Sequence, residues 1–353
     1  VGLHVITFSV RDLDGMESSA LTGVYIYNPP GPLIALPQTG QTTRYNRGDD
    51  GDIQAGVKWP SPRFYDNGDG TVLDALTGLI WLKDGNCFKA NWSRALDAVS
   101  EFNSNPEKFS CRGYTGNFDD WRLPNIVELS SLSNYESPNG AAWLNGQGFE
   151  AIQSSSYWSS TTYSSYSADA WVFSLNHGER WVEGKTSSFH ILPVRGGQED
   201  YPDPLIPSNI WKTGQRESYG PRDDGSLERG VSWPQPRFID QGDGTVMDQL
   251  TGLMWLKDRS CMWGKWSEAL SEVWRLNLYP EDYRDCKEYS ASYSDWRLPN
   301  IMELQSLIDF SRFDFSEKLP FWFMLYDDEY WSSTTLSSDM TEAFYLCLSA
   351  GAI

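Results

Sequence analysis

Most of the chain is written twice. The stretch "FYDNGDGTVLDALTGLIWLKD" at residues 64–84 returns as "FIDQGDGTVMDQLTGLMWLKD" at 238–258, an offset of 174 residues. "DWRLPNIVELSSL" starts at Asp120 and "DWRLPNIMELQSL" at Asp295, an offset of 175, and "YWSSTT" recurs at Tyr157 and Tyr330, an offset of 173. Order is kept and spacing barely drifts, so the repeated unit is far longer than a solenoid repeat and has the size of one globular domain. The sequence therefore predicts two tandem domains, residues 31–200 and 201–353, with the proline-rich "YPDPLIP" of 201–207 between them.

Within each copy the periodicity alternates between that of a strand and that of a helix. "GTVLDALTGLIWLK" reads as a hairpin of alternating apolar positions. From Trp92, the residues Leu96, Val99 and Phe102 lie on one helical face, as do Trp266, Leu270 and Val273 in the second copy. In "DWRLPNIVEL" an extended run places Asp120 and Arg122 on one face and Trp121 on the other. Pro124 stops that run, Asn125 is placed to cap the next helix, and Glu128 to reach back to the cap amide while Ile126, Leu129 and Leu132 face inward. Trp296, Arg297, Pro299, Asn300 and Glu303 repeat the arrangement. This reading makes the motif architectural, because a cap occupies the polar groups a ligand would need. "DAWVFSLNHGERWVEG" reads as a hairpin turning at His177-Gly178. Two short helices with antiparallel strands make an α+β fold.

Ahead of the copies, residues 1–27 alternate apolar positions on both sides of Asp14-Gly15, a hairpin too short to fold alone, and "NPPGP" at 28–32 reads as a stiff linker. "LPQTG" at 36–40 has the letters of a sorting signal without the apolar tail such a signal needs, and reads as an entry strand.

Composition excludes several classes. The formal charge is −20, which argues against a phosphate backbone as partner. No run of 18 apolar residues is present, so no membrane insertion is expected in this segment. The three histidines, His4, His177 and His190, do not recur between copies, which leaves no shared general base and points away from an enzyme. Cys87 and Cys111 lie 24 residues apart, and Cys261 and Cys286 occupy the matching places 25 apart. Neither spacing suits zinc; both suit one disulfide per domain, hence an oxidising, extracellular or cell-surface setting. Cys347 is the odd one, placed as a strand residue.

Taken in order, "DNGDGTV.D..TGL.WLKD", a W-S-x-A-L helix, "DWRLPN..EL.SL", "YWSSTT", "AWVF" and "PVRGG" resemble the Lcl C-terminal family, a domain found at the end of a collagen-like adhesin of Legionella. The resemblance covers residues 36–198 and again 205–353. The "WRLPN..EL" element is also similar to the "RLPTEAEWE" element of formylglycine-generating enzymes, whose core is C-type-lectin-like. The resemblance implies that fold, with two helices on a curled antiparallel sheet, an extracellular bacterial setting, and a role in adhesion. The hairpin of 1–27 resembles the last two strands of an immunoglobulin-like β-sandwich module of bacterial surface proteins. The reactive late cysteines of the formylglycine-generating enzymes have no counterpart in copy one after Cys111.

Three sets of candidate residues follow. In "DNGDGTVLD", Asp66, Asp69 and Asp74, with Asp240, Asp243 and Asp248 in copy two, offer oxygen ligands for calcium or belong to plain Asn-Gly and Asp-Gly turns. In lectin-like folds the binding surface lies on the loops between the second helix and the last strands. There copy one is rich in Tyr, Trp, Ser and Asn, and Trp143, Asn145, Tyr163, Tyr166, Asp169 and Trp181 are the candidates for a glycan or a surface protein. Copy two has instead "PFWF", and Phe321, Trp322 and Phe323 are candidates for burial against a protein partner or for self-association into a fibre. Copy one runs on past "LNHGERWVEG" to "HILPVRGG", while copy two is expected to be incomplete at its C-terminus, with a strand edge left to pair with a continuation or a neighbouring chain.

Overall fold

The computed structural model describes residues 4–11 and 17–24 as backbone, then 33–258, 262, 264–283, 286, 289–291, 293–312 and 329–347. The first strands, β1 (His4–Arg11) and β2 (Glu17–Val24), pair antiparallel over their full length, as the alternation and the Asp-Gly turn predict.

Copy one opens with an irregular entry segment. "LPQTG" is not a strand there but a single parallel bridge, Pro37 to Val57. The one-turn helix α1 (Asp50–Ile53) follows, its N-cap Asp49 accepting from the Asp52 amide. Three short strands come next, β3 (Phe64–Asp66), β4 (Thr71–Asp74) and β5 (Ile80–Leu82), then β6 (Phe88–Ala90) and helix α2 (Trp92–Ser104). Asn91 caps α2, and its stripe Trp92, Leu96, Val99 and Phe102 is buried, as the spacing predicts. Helix α3 (Ile126–Ser130) is followed by α4 (Gly140–Gly146), which carries too short an apolar pattern to be read from sequence. The copy closes with β7 (Ser156–Thr162), β8 (Asp169–Ser174), β9 (Arg180–Gly184), β10 (Phe189–Ile191) and β11 (Val194–Arg195).

These strands form two sheets, β6-β10-β7-β8-β9 and β11-β5-β4-β3. The β8–β9 pair is the hairpin predicted to turn at His177-Gly178, and Gly178 takes the left-handed backbone (φ 79°) that the turn requires. The closing segment therefore contributes to both sheets: β10 lies between β6 and β7, and β11 lies on the outer side of β5.

Copy two repeats the plan with α5 (Asp224–Leu227), β12 (Phe238–Asp240), β13 (Thr245–Asp248), β14 (Met254–Leu256), α6 (Trp266–Leu278), α7 (Ile301–Ser306), β15 (Glu329–Thr335) and β16 (Ala343–Cys347). Its described strands form β12-β13-β14 and β15-β16. The fold is α+β, with several small sheets and short helices.

The copies are not beads on a string. The entry segment of each reaches into the other with pseudo-twofold symmetry. The Gln41 side chain exchanges two hydrogen bonds with the backbone of Thr335, and Gln215 does the same with Thr162. Asn300 donates to the Ala55 carbonyl and Asn125 to that of Arg229. The Ile34 amide bonds the Leu250 carbonyl, and the Ser208 amide that of Leu76. One apolar cluster runs through the junction, joining Ile34, Leu36, Trp81 and Trp171 to Ile210, Trp211, Leu304 and Phe310. Two glycines mark how tightly the entry segments are folded: a Cβ at Gly51 would lie 2.0 Å from the Thr43 carbonyl oxygen, and one at Gly225 1.9 Å from that of Glu217.

Candidate functional site

The repeated tryptophan motif is the first candidate, and its polar groups are occupied. Asn125 accepts from the Glu128 amide and Glu128 Oε2 accepts from the Asn125 amide, the capping box expected from the spacing. Glu128 also takes a bidentate pair from Arg122, at 2.6 and 2.5 Å, with both side chains almost wholly buried. Arg122 bonds the Gly196 carbonyl as well, and its backbone pairs with Val194, so the predicted extended run is one bridge rather than a strand. Trp121 is buried with its indole donating to the Tyr114 hydroxyl, and Asn103 brackets its backbone with two hydrogen bonds. Copy two repeats the capping box, the Arg297–Glu303 pair and the Trp296–Tyr289 bond.

The acidic loops also spend their carboxylates. Asp66 accepts from the Gly68 amide and from Lys83, which together hold its carboxyl below the usual range. Asp69 accepts from the Thr71 amide and hydroxyl. Asp74 is fully buried, takes a bidentate pair from Arg63, and accepts from the Leu76 amide and the Thr77 hydroxyl. In copy two, Asp240 pairs with Lys257, Asp243 accepts from Thr245, and Asp248 pairs with Arg237. Among the described residues no group of three or more His, Cys, Asp or Glu side chains is arranged to hold a metal ion.

Five of the six loop candidates in copy one have work inside the fold. Trp143 packs against Trp59 and Phe64, with ring centres 5.7 Å apart in each case. The Asn145 amide clamps the Ile152 backbone from both sides. Tyr163 stands edge-on to Trp171. Asp169 opens β8 opposite Gly184, and the Trp181 indole donates to Glu183. Tyr166 is open, at 62% exposure, and Asn145 is exposed as well. Phe321, Trp322 and Phe323 lie outside the described residues.

A shallow recess in copy one lies beside those loops. The end of α3, the start of α4 and the β8–β9 turn enclose a shallow depression lined by Ser133, Asn134, Tyr135, Gly140, Asn176 and His177. The Asn176 and His177 side chains meet at 2.7 Å, and the buried side-chain Oδ1 of Asn176 has no hydrogen-bond partner among the described residues. Below it, the Tyr135 hydroxyl donates to Gly178 and accepts from Gln305 of copy two. Asn134 and Gly140 fall in the loop expected to bind, and His177 in the turn expected at His177-Gly178.

Two features escaped sequence reasoning. Lys185 stands 3.8 Å over the Trp92 ring and 5.2 Å over Tyr219 of copy two, and donates to Thr162. Burial pulls its pKa down to about 8, opposed by Asp223 and Asp169. The second feature is a pair of aspartates at the junction of the copies, Asp50 and Asp224.

Cys87 and Cys111 are joined as expected. Cys286 is disulfide-bonded, and Cys261, its expected partner, lies outside the described residues. Among the described residues, no helix is long and apolar enough to cross a membrane.

Residues 70–195, and again 244–353, match the Lcl C-terminal domain, which is more than half of the chain. The chain belongs to the Lcl C-terminal domain family. Both matches start inside the acidic loops, at Gly70 and Gly244, so the entry segments that interlock the copies lie outside the Lcl C-terminal match. No curated protein matches the chain significantly.

Proposed function

We propose that this chain is part of a non-catalytic extracellular surface protein that binds a glycan or a surface protein through the loop face of its first copy, on a C-type-lectin-like scaffold preceded by the end of an immunoglobulin-like sandwich. The observation that carries the reading is how the polar groups divide. Arg122, Glu128, Arg63 and Asp74, four of the charged groups of copy one that recur in copy two, are locked in buried pairs. What remains on the loop face is recognition chemistry: the open ring of Tyr166, the amides of Asn134 and Asn176, and His177. Flat rings stack on sugar faces and amides bond hydroxyls, whereas turnover needs a positioned acid or base. The Cys87–Cys111 disulfide supports an oxidising setting.

A glycan array probed with the chain tests this. Saturable binding that is lost in Tyr166→Ala and Asn176→Ala, with folding intact, supports the loop face; binding unchanged by both substitutions refutes it.

A second reading, a subunit of an extracellular fibre, is favoured by one feature of copy two. Trp331 and Tyr345 stack edge-on at 6.0 Å on β15 and β16 and stay more than one-third exposed. Under that reading the array is blank and light scattering shows concentration-dependent self-association that Trp331→Ser abolishes.

A further inference from the structure

Asp50 and Asp224 sit at equivalent places in the two entry segments, each at the first position of a one-turn helix, and each is 2% exposed. Their hydrogen bonds form two matching chains across the junction. The Ile126 amide donates to Thr161 Oγ1 (3.0 Å), and the Thr161 hydroxyl donates to Asp224 Oδ2 (2.7 Å), which also accepts from Thr213 (2.7 Å). The Ile301 amide donates to Thr334 Oγ1 (3.0 Å), and Thr334 donates to Asp50 Oδ2 (2.7 Å), which also accepts from Thr39 (2.6 Å). In each chain the first threonine comes from one copy and the aspartate from the other.

The charges around these carboxyls are mostly of the same sign. Beside Asp224 lie Asp223, which accepts from the Tyr219, Gly220 and Ser226 amides, and Glu128, already paired with Arg122. Lys185 faces Asp223. Beside Asp50 lie Asp49, which accepts from the Tyr45, Asn46 and Asp52 amides, Glu303, paired with Arg297, and the Tyr135 phenol. Arg122 and Arg297 thus have carboxylate partners of their own, Lys185 donates to Thr162, and neither Asp50 nor Asp224 forms an ion pair among the described residues. A buried carboxylate served only by neutral hydroxyls and flanked by other anions is strongly disfavoured against its protonated form.

We propose that Asp50 and Asp224 are proton-loaded latches between the copies, so that the junction is firmest in acid and loosens as the two protons leave. Burial first, with neighbouring carboxylates adding to it, raises Asp50 to about 6 and Asp224 to about 7 from the ordinary 3.8, against the pull of the threonine hydroxyls. The folded chain therefore binds these protons more tightly than the unfolded chain. The stabilisation is complete below the ordinary value of 3.8 and is lost as pH rises through about 6 and then about 7.

The test is a carbon-13 titration of aspartate carboxyls in the full chain, joined to melting curves from pH 5 to 8. Two carboxyl resonances should titrate near 6 and 7 and vanish singly in Asp50→Asn and Asp224→Asn. The melting temperature of the parent chain should fall more between pH 5 and 8 than that of the double variant. The chain's net charge tilts both curves alike, so their difference reports the latches. If every aspartate titrates below pH 5, or if parent and variant melting curves run parallel, the latches are ionised and the proposal fails. The titration needs only the unsubstituted chain, so it decides even if a variant does not fold.

Discussion

The two copies share a motif but not its surroundings. In copy one, β11 covers the outer side of β5 and β10 lies beside β7; Arg122 is 3% exposed and Trp158 fully buried against Phe189 of β10. In copy two, β14 and β15 have no such neighbours among the described residues; Arg297 is 27% exposed and Trp331, the counterpart of Trp158, is 36% exposed. Yet the capping box, the bidentate arginine–glutamate pair and the tryptophan–tyrosine bond are the same in both. Local hydrogen bonds are thus written in the motif itself, whereas its burial depends on strands far along the chain. The same groups should therefore differ in energetic weight between the copies.

The largest effects should come from the buried charge pairs. Glu128→Ala leaves Arg122 buried without its partner and should cost about 3–5 kcal/mol, while Glu303→Ala, with Arg297 better hydrated, should cost about 1.5–3 kcal/mol. Asp74→Ala and Asp248→Ala provide the control: both aspartates are fully buried with equivalent arginines, so the two losses should match. Denaturant melts of the four variants decide this, and equal losses for Glu128 and Glu303 would break the comparison. Next, Trp158→Ala should cost about 3–5 kcal/mol and Trp331→Ala about 1 kcal/mol. Reducing Cys87–Cys111, which closes a loop of 24 residues, should cost about 3 kcal/mol. The smallest effect is at Tyr166, where replacement by alanine should leave stability within about 0.5 kcal/mol and change only binding.

What could be read from the sequence was local. Asn125 and Glu128 are three residues apart, the Trp92 stripe follows helical spacing, and Asn-Gly and Asp-Gly mark turns, so each signal and its structure share one window. Glu128 was legible as a cap, but its pair with Arg122 was not, because the helix and the preceding run meet only after folding. The intrachain contacts of the loop candidates were hidden for a related reason: Trp143 and Asn145 have the composition of a binding loop, but their packing and backbone partners come from segments that composition does not reveal. The junction was invisible because Gln41 finds Thr335 across 294 residues and Gln215 finds Thr162 across 53, with no shared window. One sign was present: Thr-Gly-Gln recurs at 39–41 and 213–215, and Ser-Thr-Thr at 160–162 and 333–335, small polar groups with no local role to explain their return.

The reciprocal junction joins the two copies into one cooperative unit, and scanning calorimetry of the chain reads that cooperativity. With a core and paired hydrogen bonds shared between the copies, residues 33–347 should unfold in one transition whose calorimetric and van't Hoff enthalpies agree, and Glu303→Ala in copy two should lower that single transition. Two resolved transitions, only one of them moved by Glu303→Ala, would contradict it.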